Sequence, residues 1–180
     1  MNDPSAASGV AAIDDADEDA LADALRVAWS RRPLGVCVLG IGGATPLVST
    51  VTDVVSTSLH PPMVLACVYS ESRLRERLEV GAVWSLSVLD GSPAARAAAR
   101  QLAEPGRPLI GQLTGIAHRP GPRTGAPLLE AASAWIECRT EWTHPAGDHD
   151  AVGARVLGVE LADVARGALV HHLSRMTPLP

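Results

Sequence analysis

The chain has 180 residues, a net charge of −5, 47 % hydrophobic residues and only 3 % aromatic ones. All 15 of its basic residues are Arg and it has no Phe, so its core has to be built from Ala, Val and Leu. Such a chain is too apolar to be disordered. It is also too acidic and ring-poor for a nucleic-acid partner, whose phosphates need clustered cations and whose bases need stacking rings, and no apolar run approaches the ~20 residues that span a bilayer.

Residues 1–18 carry Asp3, Asp14, Asp15, Asp17 and Glu18 with no basic residue. They read as a disordered acidic tail ahead of a single domain over 19–180. The same stretch lacks the basic start and apolar run of a secretory signal. Cys37, Cys67 and Cys138 show no CxxC pair and no zinc spacing, so a cytoplasmic setting and no metal are expected. Asp19 is placed to cap a helix over 20–31, with Leu21, Leu25 and Ala28 on one face and Pro33 as its stop. A strand over 34–41, a turn over 42–46 and a strand over 47–52 then form a hairpin. Residues 53–60 are polar and rich in Ser and Thr, ended by Pro61 and Pro62.

The segment 63–69 is a fully apolar strand, 72–78 a short charged helix, and 82–89 a strand with Trp84, Leu86 and Val88 on one face. Ser92 is placed to cap a helix over 94–103, with Pro93 at its first position. Residues 104–127 are loop-rich. The segment 134–143 alternates, with Trp135 and Glu137 facing one way and Ile136 and Cys138 the other. Residues 145–148 form a turn. A long strand over 151–164 bends near Gly153 or Gly158, and 169–173 is a last strand. Six or seven short strands, with helices in front and in the crossovers, predict a mainly β fold: a β-barrel with peripheral helices.

Common site motifs are absent. Gly40, Gly42 and Gly43 follow a strand, but Pro46 and a second strand come next. A dinucleotide loop has to open a helix there, so a hairpin turn is expected. No GxSxG elbow positions a serine nucleophile. His171 and His172 are neighbours in a strand and point to opposite faces, so one metal cannot take both.

Two segments say more: Ser56-Thr57-Ser58-Leu59-His60-Pro61-Pro62 before an apolar strand, and Gly147-Asp148-His149 before a Val-rich one. With Trp84 to Leu89, Gly125 to Leu129 and the Glu137-Cys138 pair, and in this order, they resemble the flavin reductase family over about residues 21–179. The resemblance implies an FMN-binding split β-barrel, Greek-key-like, that forms a homodimer. It implies an NAD(P)H:flavin oxidoreductase using FMN or FAD, with NADH or NADPH as co-substrate, often serving a partner monooxygenase. The residues matching the family's flavin positions are Thr50, Thr52, Asp53, Cys67, Val68 and Tyr69, with Ser72 and Arg73 near the flavin phosphate. His149, His171 and His172 match the nicotinamide side.

The family carries Ser where this chain has Asp53, and a carboxylate beside a flavin phosphate is repelled. Rings of the family pattern are replaced at Val54 and Leu102, while Trp84 keeps one. These departures point to a rival reading from another class: a split barrel without flavin redox activity, acting as a ligand-binding or assembly protein in a biosynthetic pathway.

Overall fold

The computed structural model describes residues 15–164 and 166–179. The expected tail therefore falls outside the described residues except for 15–18, which are helical. Helix α1 covers Asp15–Ser30, so Asp19 lies inside it rather than at its cap. Leu21 and Leu25, which share the expected apolar face, are 56 % and 59 % exposed. The helix holds to the rest of the described chain near its end, where Leu173 N–H donates to the Ser30 carbonyl at 2.7 Å.

The expected first strand is two. Strand β1 (Leu34–Gly35) and strand β2 (Cys37–Ile41) are separated at Val36. The chain then forms β3 (Leu47–Val51), β4 (Val54–Leu59), β5 (Pro62–Tyr69), a 3-10 turn (Arg75–Arg77) and β6 (Val83–Leu89). Helix α2 (Pro93–Ala103) follows, then β7 (His118–Pro120), β8 (Pro127–Leu129), β9 (Ala132–Ala146), β10 (His149–Leu161), β11 (Ala168–His172) and β12 (Arg175–Leu179). Seven strands form one antiparallel sheet in the order β3-β2-β6-β9-β10-β5-β4, while β1-β11-β12 and β7-β8 form two smaller sheets. This is the split barrel that the sequence implied.

Four local outcomes differ from the sequence reading. The Ser/Thr-rich stretch is an edge strand, β4, because its β-branched residues suit a pleated surface even when polar. The segment 72–78 makes only a 3-10 turn. Two short strands, β7 and β8, pair within the loop-rich region, and a final strand, β12, pairs with β11. The α2 cap is as expected: Ser92 Oγ accepts from Ala95 N–H at 3.1 Å, with Pro93 at the first position. The bends in β10 also stand where glycine predicts them, with register shifts at Gly153/Ala154 and Val156/Gly158.

Two buried clusters sit on opposite faces of the sheet. One holds Leu39, Ala66, Leu78, Trp84, Cys138 and Val152; the other holds Val38, Val48, Leu102, Leu128, Trp135 and Leu169. The alternation along β9 thus feeds both, Trp135 to one side and Cys138 to the other. Two Trp supply bulk that Ala, Val and Leu alone do not. Both indoles are satisfied on burial: Trp84 Nε1 donates to Thr140 Oγ1 at 3.0 Å, and Trp135 Nε1 to the Leu129 carbonyl at 2.6 Å. Glu137 is buried too. Its Oε1 accepts from Arg123 N–H, Thr124 N–H and Thr124 Oγ1 at 3.0, 2.8 and 2.7 Å, which fixes the 121–125 loop.

Candidate flavin site

Strand β3 is an edge of the large sheet, and its outward main-chain groups have to find partners or remain open. At Val48 they find side chains: the N–H donates to Gln112 Oε1 at 3.0 Å, and the carbonyl accepts from Arg107 Nη2 at 2.6 Å. In an antiparallel pair every second residue turns the same way, so the N–H and carbonyl of Thr50 also turn outward. From there the edge runs along an open cavity of about 230 Å³. Its walls are 49–53, the C-terminal end of β5, the turn through Ser72 and Leu74, and His149 at the start of β10.

Eight residues singled out from the sequence line this cavity: Thr50, Thr52, Asp53, Cys67, Val68, Tyr69, Ser72 and His149. Their contributions differ. The Thr50 hydroxyl donates to the Ala99 carbonyl at 2.7 Å, which ties the strand to α2 and leaves only main chain for the cavity. Val68 is buried in the core, so it too offers main chain. Asp53 is exposed on the rim, where Thr52 Oγ1 donates to its Oδ2 at 3.3 Å. Ser72 Oγ accepts from Arg75 N–H at 3.1 Å and so is turned to the start of the 3-10 turn. Burial, and then the Asp53 charge, raises the Cys67 thiol above its usual range.

The far wall is a cross-strand pair. Tyr69 stands opposite His149 in the β5-β10 ladder, with ring centroids 5.8 Å apart and planes at 67°. A two-residue turn at Gly147-Asp148 closes the β9-β10 hairpin, and Gly147 takes φ +73, which favours glycine. Asp148 Oδ1 lies 2.8 Å from His149 Nδ1. The hydrogen bond from His149, and then its charge, holds the Asp148 carboxyl below the usual range. With Nδ1 so engaged, Nε2 is the ring nitrogen left for a ligand. Ser70 Oγ donates to the Asp148 carbonyl at 2.6 Å and fixes the turn against the end of β5.

Three predicted residues lie elsewhere. Arg73 lines a neighbouring cleft. His171 and His172 sit on β11 in the small sheet, paired with Met176 and Arg175, and line none of this cavity. Of the positions tied to rings, Trp84 and Leu102 are fully buried and Val54 packs against the core, so none of the three lines the cavity. Sequence reasoning missed Ser49, Val51 and Leu74.

It also missed the buried link that holds the site together. Arg75 Nε donates to Asp150 Oδ2, with only 13 % and 14 % of the two side chains exposed. This pair joins the turn after Ser72 to the residue after His149.

The family model for the flavin reductase like domain matches residues 29–180. The chain belongs to this flavin reductase family. Among its relatives, the NADH-dependent FMN reductase of Streptomyces nodosus subsp. asukaensis is 34 % identical over 157 residues, which is 86 % of this chain and 83 % of that one. The NADH-dependent FAD reductase of Streptomyces globisporus is 34 % identical over 126 residues, 69 % of this chain and 68 % of that one. Among solved structures, the flavin reductase component of a bacterial two-component tryptophan halogenase superposes with a TM-score of 0.80 at 35 % identity. That superposition covers 88 % of this chain and 98 % of the other.

Proposed function

We propose that this protein is an NAD(P)H-dependent flavin reductase that takes FMN or FAD, with NADH as the co-substrate, and supplies reduced flavin to a flavin-dependent monooxygenase. The observation that carries this reading is the open β3 edge at Thr50, framed by eight predicted residues around one cavity. The residues fit the group. A flavin ring presents alternating acceptors and a donor along one edge, and an open strand edge presents the matching donor and acceptor.

A bound flavin supplies the two-electron chemistry, accepting reducing equivalents from the nicotinamide. The chain's own part is placement. Main chain at 50–53 orients the ring, while Tyr69 and His149 form the wall against which a nicotinamide is held. Asp148 fixes the His149 tautomer and leaves Nε2 to bind. No side chain has to act as nucleophile. The ring-poor composition does not empty the site, because the substituted positions lie in the core.

The protein acts as a homodimer in this proposal. Val55 and Leu59 on β4 and Val159 and Leu161 on β10 are exposed apolar residues, which suits contact with a second copy. His171 and His172, which line none of their own cavity, then serve the partner's. No helix among the described residues is long and apolar enough to cross a membrane; the three cysteines are free, which suits a cytoplasmic setting. Titration of FMN and FAD against intrinsic or flavin fluorescence tests the reading. Binding at micromolar concentration is expected, and failure of both flavins to bind contradicts it.

A further inference from the structure

The outward edge of β3 offers two like pairs of main-chain groups, at Val48 and at Thr50, two residues or ~7 Å apart. Among the described residues, side chains fill only the Val48 pair. Gln112 Oε1 accepts from its N–H at 3.0 Å, and Arg107 Nη2 donates to its carbonyl at 2.6 Å. A neighbouring antiparallel strand makes this same pair of bonds, so the two side chains stand in for a strand one residue long.

Both side chains are themselves fixed. The other arm of the Arg107 fork, Nη1, donates to the Glu104 carbonyl at 2.9 Å, at the C-terminal end of α2. A cation suits that end of a helix, and among the described residues Arg107 has no carboxylate partner. Gln112 Nε2 donates to the Pro108 carbonyl at 3.1 Å, and Gln101 Nε2 on α2 donates to the Gln112 carbonyl at 3.3 Å. Residues 103–106 and 108–111 are exposed, so apolar packing does not hold this loop to the sheet; Arg107 and Gln112 do. Arg107 keeps its place at a cost, because its Nε is buried without a partner and burial lowers the guanidinium from its ordinary value. Neither side chain lines the flavin cavity, so both act through the main chain of β3.

We infer that Arg107 and Gln112 are positioning residues that set the register of the flavin ring along β3. The inference rests on the flavin reading above. An edge with two open pairs accepts the ring at either, and a slip between them displaces it by ~7 Å. With Val48 capped, Thr50 is the open pair that remains, and it is the one at the cavity that Tyr69 and His149 line. The Thr50 hydroxyl on the Ala99 carbonyl completes the bracket between β3 and α2, so the open pair is presented on a fixed strand.

Amide hydrogen exchange read by NMR, with FMN as the probe, tests this on wild type and on Gln112→Ala. In free wild type the Val48 amide is expected to exchange about tenfold more slowly than that of Thr50, and FMN to slow Thr50 while leaving Val48 unchanged. In Gln112→Ala the Val48 amide opens about tenfold, and FMN slows it together with Thr50, because the ring now meets two open pairs. A merely structural role lowers Tm without changing which amides FMN slows. Misplacement of the ring is also expected to lower kcat at saturating FMN about tenfold, with the KM for NADH within about twofold. Arg107→Met frees the Val48 carbonyl instead, and the same fall in kcat is expected should Gln112→Ala fail to fold. The inference is overturned if FMN slows Thr50 alone in folded Gln112→Ala, or if kcat stays within about twofold in the folded variants. A wild type in which FMN slows Thr50 but Val48 is already open overturns the inference and leaves the flavin reading standing. A wild type in which Val48 is protected and FMN slows neither amide overturns the flavin reading, and the inference with it.

Discussion

Asp150→Ala removes the partner that Arg75 has in the interior and leaves a guanidinium that is only 13 % exposed. Breaking one side of a buried ion pair costs ~3–5 kcal/mol, most of it from the charge left unpaired. Here the cost is smaller. Arg75 Nη1 keeps Glu79 Oε1 at 3.2 Å, but Glu79 is 71 % exposed and compensates weakly. The residual exposure of Arg75 also admits some water. A loss of ~2–4 kcal/mol follows, which at ~2–4 °C per kcal/mol for a chain of this length is a drop of ~5–15 °C in Tm. Thermal unfolding of wild type and variant by circular dichroism reads it directly. The double variant Arg75→Met with Asp150→Leu replaces the pair by apolar groups and is expected to recover most of the loss. A single-variant change under ~2 °C, or a double variant less stable than Asp150→Ala, would refute the argument that an unpaired charge is the main cost.

Further outcomes follow from the rim and the thiols. Asp53→Ser is expected to raise FMN affinity ~2–3-fold at low salt: were the flavin phosphate to stand about two side-chain lengths, ~7 Å, from this rim charge, the repulsion in water-like surroundings would be ~0.6 kcal/mol. The gain should fade as salt rises; a fall in affinity, or a gain untouched by salt, contradicts it. His149→Ala is expected to raise the KM for NADH ~10-fold, about the cost of losing one hydrogen bond to a charged group, while FMN affinity changes less. The opposite ranking, measured by steady-state kinetics and flavin titration, would remove His149 from the nicotinamide side. Burial pushes the Cys37 thiol up to about 11 and the Cys138 thiol up to about 12. Both therefore stay protonated at pH 8, and raising the pH brings labelling only as it approaches those values. A disulfide reagent at pH 8 should modify Cys67 alone, and FMN should protect it; two or three fast-reacting thiols in the folded protein would argue against this placement.

Much of the fold was legible because period and punctuation agree. Residues 63–69 are apolar and bounded by Pro and Ser, and Ser92-Pro93 announces α2. Elsewhere propensity and context diverge. Leu21 and Leu25 repeat at helical spacing and form a helix, yet remain exposed among the described residues, because periodicity names a face without naming what covers it. The polar run at 54–59 hides an edge strand, which needs only one satisfied side.

The site was legible where neighbouring residues form it, as at 50–53, 67–69 and 72. It was illegible where distant residues meet. Nothing local joins Arg75 to Asp150, or Arg107 and Gln112 to the two main-chain groups of Val48. His171 and His172 were found on a different sheet for the same reason: a sequence pattern does not say which sheet a strand joins.

The central claim is that the cavity beside the open β3 edge serves flavin reduction. NADH consumption followed at 340 nm, with and without added FMN or FAD, tests it most directly. The account predicts oxidation that requires flavin, saturates with it and weakens in His149→Ala. NADH consumption that is absent with both flavins, or that is the same with and without them, would contradict it.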